Sequence, residues 1–213
     1  MPVVTIGRQF GAGGETVGRI LAERLGVDLV DSRIIDEVAR RLELPESDVK
    51  EQDEDPASLV ERLVAALGSV SIDLSAPPEV PAWTPPYADP AFDLRRAVLR
   101  LTQEVIREAA RSGNAVIVGR GGAYILRNEP DVLHVFLRAS EQARLPVVAE
   151  LLGLGEEEAR KQIRQHDANR AAYIRQVYDH DWQHPSHYDV VLDTGRLGYE
   201  AAVEAVLAVL SRR

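Results

Sequence analysis

Gly11-Ala12-Gly13-Gly14-Glu15-Thr16 lies just beyond the short β-branched run Val3-Val4-Thr5-Ile6 and opens a helical pattern. A strand, a glycine turn and a helix in that order make an anion site. Backbone N–H groups and the helix N-terminus converge there, and no side chain obstructs a phosphate. The plainer alternative is a tight βα connection with no ligand. Two phosphate-binding motifs share these residues. As a dinucleotide fingerprint, Gly11-x-Gly13 is present, the third glycine position falls on Thr16, and Asp31 lies about 20 residues on at an expected strand end. As a mononucleotide loop of the form Gly-x-x-x-x-Gly-Lys-x-Thr, the stretch from Arg8 to Thr16 is in register, with Arg8 at the first glycine and Gly14 at the lysine, which leaves Arg8 either to supply the charge that Gly14 lacks or to pack as an ordinary arginine. Further along, Arg120 sits among Gly119, Gly121 and Gly122, just past the apolar run Ala115–Val118, so nothing local hides its guanidinium from an anion. Arg164, Asp167 and Arg170 recur at i, i+3 and i+6, on neighbouring turns of one helix face. That spacing alone also describes a solvated, salt-bridged surface. His180, His184 and His187 offer imidazoles, but Pro185 interrupts any helix and Asp179, Asp181 and Trp182 mark a polar loop, so a zinc site is not expected.

The elements that must hold these residues follow from periodicity. Val3–Ile6 reads as a buried strand that stops at Gly7, Glu15–Leu25 as a helix closed by Gly26, and Val27–Val30 as a second strand with Asp31 and Ser32 at its carboxyl end. From Arg33 to about Val70 the pattern is helical, with Ile34, Ile35, Val38 and Leu42 on one stripe and an acidic run from Glu46 to Asp55 on a solvated face. Six prolines between Ser75 and Pro90 exclude regular structure there. A helix over Phe92–Arg111, strands at Ala115–Val118, Val132–Leu137 and Val190–Leu192, and helices over Ser140–Leu152, Glu156–Tyr178 and Tyr199–Leu210 complete the map. Strands separated by helices predict a mostly parallel sheet covered on both faces.

The 213 residues suffice for one sizeable core, and 25 basic against 34 acidic residues leave a net charge of −9. Such a surface repels polyphosphate except where positive charge is gathered, so a nucleic-acid polymer is not an expected partner. The absence of cysteine removes disulfides, thiolate metal sites and cysteine nucleophiles. Without an apolar run long enough to span a bilayer, a cytoplasmic protein with no membrane partner is expected. Lys50 and Lys161 are the two lysines, so nearly all positive charge is arginine.

The sequence resembles the cytidylate kinase-like family of P-loop nucleoside monophosphate kinases. The likeness is carried by Ile6-Gly7-Arg8-Gln9-Phe10-Gly11-Ala12-Gly13-Gly14, Val116-Ile117-Val118-Gly119-Arg120-Gly121, Arg138-Ala139-Ser140, Asp167 to Tyr173 and Tyr188-Asp189. The resemblance implies a three-layer P-loop NTPase-like fold with about five parallel strands and a core of residues 1–32 and 114–213. It also implies a helical acceptor-binding insertion over 33–113, which includes the proline-rich loop 75–90, and an arginine-bearing lid over about 153–187. The implied reaction moves the γ-phosphoryl of ATP, with Mg2+, onto a nucleoside monophosphate, CMP or dCMP first, or onto another small phosphoryl acceptor.

The same resemblance assigns roles. Gly11, Ala12, Gly13, Gly14, Glu15 and Thr16 would cradle the donor phosphates, joined by Arg164 from the lid. Thr16 and Asp31 would contact Mg2+, Asp31 alternatively receiving the acceptor or capping the next helix. Asp31, Ser32 and Arg120 would bind the acceptor, and Arg8, Asp31, Arg120, Asp167 and Arg170 would serve the transfer itself. The acceptor motif's later arginine is replaced here, with Glu37 nearest its position, and glycines flank Arg120 where cytidylate kinases have acids. Arg144 and Arg175 are read as surface residues. The region around Trp83 and Tyr87 reads either as a cover over the acceptor or as a contact in a homodimer. The alternatives are a nucleotide-binding regulatory protein with a degenerate kinase site and an NAD-dependent oxidoreductase.

Overall fold

Alternation along the strands decides which side chains face which layer. In the computed structural model, which describes residues 2–30, 37, 38, 41 and 94–213, β1 (Val3–Arg8) turns Val4 and Ile6 to one face of the sheet and Val3 to the other. β3 (Ala115–Val118) divides the same way, with Val116 and Val118 opposed to Ala115 and Ile117. So does β4 (Val132–Arg138), where Leu133, Val135 and Leu137 oppose Val132. Strands apolar on both faces must be covered on both faces. One layer is α1 (Gly14–Leu25), whose Val17, Leu21 and Ala22 pack on the first set together with Ala202, Val203 and Val206 of the C-terminal helix. The opposite layer is α2 (Leu94–Ser112), which brings Val98, Val105 and Ile106 against the second set.

The sheet has five strands in the order β2-β3-β1-β4-β5, where β2 is Asp28–Val30 and β5 is Val190–Asp193, and every pairing is parallel. β1 sends the chain toward β2 on one side, while β3 sends it across β1 to β4 on the other. The direction therefore switches at the carboxyl ends of β1 and β3, where an open α/β sheet forms its ligand crevice. The remaining elements are α3 (Gly122–Ile125), α4 (Glu141–Leu152), α5 (Glu156–Tyr178), a 3-10 turn at Pro185–His187, α6 (Thr194–Leu197) and α7 (Tyr199–Leu210). The Ser140 hydroxyl accepts from the Ala143 N–H at 3.2 Å and caps α4, with Glu141 in its first turn. Gly26 ends α1 in the left-handed region at φ 64°.

Two differences from the sequence expectations bear on the site. β1 does not stop at Gly7. Its register with β4 continues through Gly7 opposite Phe136 and Arg8 opposite Leu137, so Arg8 is a strand residue held by a ladder. The short helices α3 and α6, each four residues long, were not expected. The helical stretch from Arg33 to Val70, the acidic run, the proline-rich loop, Trp83 and Tyr87 fall outside the described residues, apart from Glu37, Val38 and Arg41. Those three are helical, and Val38 is buried in the cluster around Ile117.

Candidate active site

The glycine turn is shaped by its packing. Gly13 caps α1 at φ 75° with no side-chain hydrogen bond to the helix, so the first amides of α1 are not claimed by a capping side chain. The Tyr199 ring at the start of α7 occupies the space a Cβ at Gly13 would need. The Thr194 hydroxyl, buried behind the turn, donates to the Ala12 carbonyl at 2.9 Å and lies 3.2 Å from that of Arg138. Thr16 is half-buried in the first turn of α1, and Glu15 beside it is exposed. The turn is thus packed from behind by Thr194 and Tyr199, and its Ala12 N–H donates to the Gln9 carbonyl at 3.1 Å.

A second glycine turn faces it from β3. Gly119, Arg120 and Gly121 all have positive φ, at 78°, 52° and 75°. For Arg120 this conformation costs about 1 kcal/mol or more. The turn is pinned by the Gly119 N–H donating to the Ile6 carbonyl at 2.9 Å and the Gly122 N–H donating to that of Gly119 at 2.9 Å. The Arg8 side chain runs between the two turns. Its Cγ lies 2.5 Å from where a Cβ at Gly14 would stand, and its guanidinium fills the place of a Cβ at Gly119.

Above both turns lies α5. Its Arg170 is buried and donates through a guanidinium nitrogen to the Arg8 carbonyl at 3.2 Å, with its charge 5.6 Å above the Phe10 ring. Asp167 accepts from the Phe10 N–H at 2.8 Å through one oxygen and from Arg144 at 2.6 Å through the other. Arg144 also donates to the Phe10 carbonyl at 2.9 Å, and His166 stacks on the Phe10 ring at 4.1 Å. Phe10 is therefore the anchor by which α5 is held on the glycine turn.

Arg8, Arg120 and Arg170 share a small cavity of about 50 Å³ whose walls include Tyr124, Tyr173, Trp182 and Tyr188. Burial holds the Tyr173 and Tyr188 phenols above their ordinary range, so they stay neutral and the arginines supply the charge. On the other side of the glycine turn is an open pocket of about 220 Å³ lined by Gly11, Ala143, Val147, Thr194, Gly195, Gly198 and Tyr199.

The structure therefore brings together Arg8, Gly11 to Thr16, Arg120, Asp167 and Arg170. It does not bring Arg164 with them. Arg164 is exposed, because the run 164, 167, 170 rotates around α5, and only its later members turn inward. Arg144, expected at the surface, is buried: its aliphatic stem and guanidinium close the gap between α4 and α5. Arg175 is exposed, as expected. Asp31 and Ser32 lie outside the described residues, and Glu37 pairs at 2.7 Å with Arg41, which also forks onto Glu108. The histidines of the polar loop pack on one another, with His180 and His187 at 4.6 Å between ring centroids. Sequence reasoning missed Phe10, Arg144, Thr194, Tyr199 and the aromatic wall. A large aromatic inside a glycine turn was a signal for Phe10, but nothing local marked Thr194 or Tyr199.

A model of the Cytidylate kinase-like family matches residues 3–196. The chain belongs to that family. It is 28% identical to a cytidylate kinase of Ignicoccus hospitalis over 99% of both chains. With one of Methanopyrus kandleri it shares 34% identity over 42% of this chain and 51% of that one. Among solved structures it resembles an uncharacterized protein from Eubacterium ventriosum, with a TM-score of 0.71 at 20% identity over the whole of both chains. It also resembles a shikimate kinase from Bacteroides thetaiotaomicron, with a TM-score of 0.56 at 16% identity over 99% and 98% of the two chains. The fold is the three-layer P-loop NTPase-like α/β fold.

Proposed function

We propose that this chain is a cytidylate kinase-like phosphotransferase that moves the γ-phosphoryl of ATP onto a nucleoside monophosphate, with CMP or dCMP the first candidates. The observation that carries the reading is the meeting of two glycine turns across the Arg8 side chain, with Arg120 and Arg170 on the same cavity. Phosphoryl transfer asks mainly for positioning and for positive charge over the shifting oxygens. Forked guanidinium donors match phosphate oxygens in pairs.

In this reading the backbone from Gly11 to Thr16 holds the donor phosphates. The open pocket between Ala143, Gly195 and Tyr199 gives the donor base a shallow, small-residue floor. Arg120 takes the acceptor phosphate, since its turn lies just past the carboxyl end of β3 and it lines the cavity. Magnesium arrives with ATP as part of the substrate, with the Thr16 hydroxyl and the Asp31 carboxylate as the groups to meet it. Arg170 orders the donor side through the Arg8 carbonyl. Asp167 acts as a positioning residue, because both its oxygens are engaged with Phe10 and Arg144.

The test is calorimetric titration of a non-hydrolysable ATP analogue with magnesium and of a panel of nucleoside monophosphates, each into protein saturated with the other. Two sites that fill together are expected. Competition for one site, or no binding of any monophosphate, would overturn the two-site reading. A regulatory nucleotide-binding role is the second reading. Gly14 at the lysine position favours it, and it predicts ATP binding without transfer.

A further inference from the structure

We propose that this chain has exchanged two residues within its phosphate-binding motif: the cation that the motif carries at its lysine position is carried here by Arg8 at the first-glycine position, and Gly14 is a glycine because Arg8 needs its space. The inference rests on the kinase reading and says which side chain supplies the charge in it.

Three observations converge. The register Arg8 to Thr16 matches Gly-x-x-x-x-Gly-Lys-x-Thr at the second glycine and the threonine and departs from it at two positions, with arginine for the first glycine and glycine for the lysine. The two departures touch each other in space. A Cβ at Gly14 would stand 2.5 Å from the Arg8 Cγ and 3.1 Å from its Cβ and Cδ, so no side chain fits at 14 while Arg8 lies where it does. The far end of Arg8 is equally committed, because its guanidinium occupies the Cβ position of Gly119, which only a glycine leaves open. Gly14 is buried, so its lack of a side chain reflects close approach and not solvent exposure.

The backbone of Arg8 is fixed too. It sits in the β1–β4 ladder opposite Leu137, and its carbonyl accepts from Arg170. The guanidinium is thereby set at the junction of the donor turn and the acceptor turn, on the wall of the cavity shared with Arg120 and Arg170. In the transfer, an acceptor phosphate oxygen forms a bond to the γ-phosphorus as the bond from that phosphorus to the β–γ bridging oxygen breaks. The electron pair stays on the leaving ADP, and no proton need move. Charge accumulates on the oxygens between the two turns, where Arg8 lies.

The experiment compares wild type, Arg8→Ala, Arg8→Lys, Gly14→Lys and the double variant Arg8→Gly/Gly14→Lys. The readouts are nucleoside diphosphate formed from Mg-ATP, Mg-ATP affinity by calorimetry, and melting temperature. Removal of Arg8 is expected to lower kcat by about 100-fold or more, as loss of a transition-state donor does, and to weaken ATP binding about tenfold while the protein stays folded. Arg8→Lys recovers part of the loss. Gly14→Lys alone is impaired, since its side chain meets Arg8, whereas the double variant restores the ordinary motif and recovers at least about tenfold over either single change.

Wild-type kcat and ATP affinity within threefold in Arg8→Ala would overturn the exchange. So would a folded double variant no better than the singles. If wild type binds ATP but phosphorylates no acceptor, the kinase reading fails and the affinities still decide the exchange.

Discussion

Asp167 and Arg144 show how a charged pair can be structural beside a candidate active site. The carboxylate is 15% exposed and the guanidinium 7%, so each is largely removed from water and depends on the other and on Phe10 for compensation. Deleting one partner of such a pair leaves an uncompensated buried charge. Asp167→Ala is expected to cost about 3 kcal/mol in urea unfolding, and Arg144→Leu/Asp167→Leu less than the sum of its singles. Strict additivity would mean that the pair is not coupled. Gly13 is limited by Tyr199 and by φ 75°. Gly13→Ala should lower stability by about 2 kcal/mol, with part of the loss relieved in a Tyr199→Ala background. A melting series in both backgrounds reads this directly, and equal losses would exonerate the ring.

His134 carries a pH prediction at the same scale. Its Nδ1 lies 2.7 Å from the Thr5 hydroxyl, and burial pushes the imidazole below its ordinary value despite the opposing Asp189 charge. The unfolded chain takes up the proton near pH 6.5 and the folded chain only lower. The unfolded state therefore binds more protons in that window, and stability that is full above about pH 6.5 is lost as the pH falls below it. Each such histidine contributes at most about 1.4 kcal/mol per pH unit. His187, also shifted down by burial first, adds in the same direction. The urea midpoint of wild type should fall between pH 7.5 and 5.5, and the fall should shrink in His134→Gln. An unchanged slope in that variant would assign the effect elsewhere.

Elements were legible where periodicity and punctuation agree. Ser140 with Glu141 marked the start of α4, Gly26 and Gly113 marked helix ends, and the bounds of α5 and α7 coincide with their apolar and polar patterns. The extension of β1 to Arg8 was not legible, because it depends on pairing with β4, more than a hundred residues away in sequence. How α5 is attached was not legible. The family resemblance implied a lid there and the residues alone a solvated surface helix, but its attachment to Phe10 through Asp167, Arg144, His166 and Arg170 is tertiary. The hold of α5 on the glycine turn converges on Phe10, while its Ala159 and Ile163 pack on Leu145 and Val148 and its Ile174 on Tyr124 and Trp182, so loss of the ring should loosen the middle of the helix locally. In Phe10→Ala, hydrogen exchange is expected to quicken over residues 163–174 with little change in β1, β3 and β4. Uniform quickening would indicate global loss of stability, and no change would show that the anchor is dispensable.

At the scale of the molecule, the strand order places the carboxyl ends of β1 and β3 side by side, and both end in glycine turns. That juxtaposition concentrates Arg8, Arg120 and Arg170 in a chain whose net charge is −9. An acidic surface with a basic crevice suits a small polyanion better than a nucleic-acid polymer. No helix among the described residues is long and apolar enough to cross a membrane. The glycine turn itself could be read from the sequence, since it lies within nine consecutive residues. That Arg8 could supply the charge Gly14 lacks was legible in the motif, whereas the competition of positions 8 and 14 for one space needed the third dimension. The most direct measurement is transfer from ATP labelled in the γ-phosphoryl group to CMP, dCMP and other nucleoside monophosphates with magnesium, alongside an acceptor-free control. Label appearing in a nucleoside diphosphate, dependent on the acceptor and over many turnovers, is the predicted result. Label that stays in ATP, or passes only to inorganic phosphate regardless of acceptor, would contradict the account.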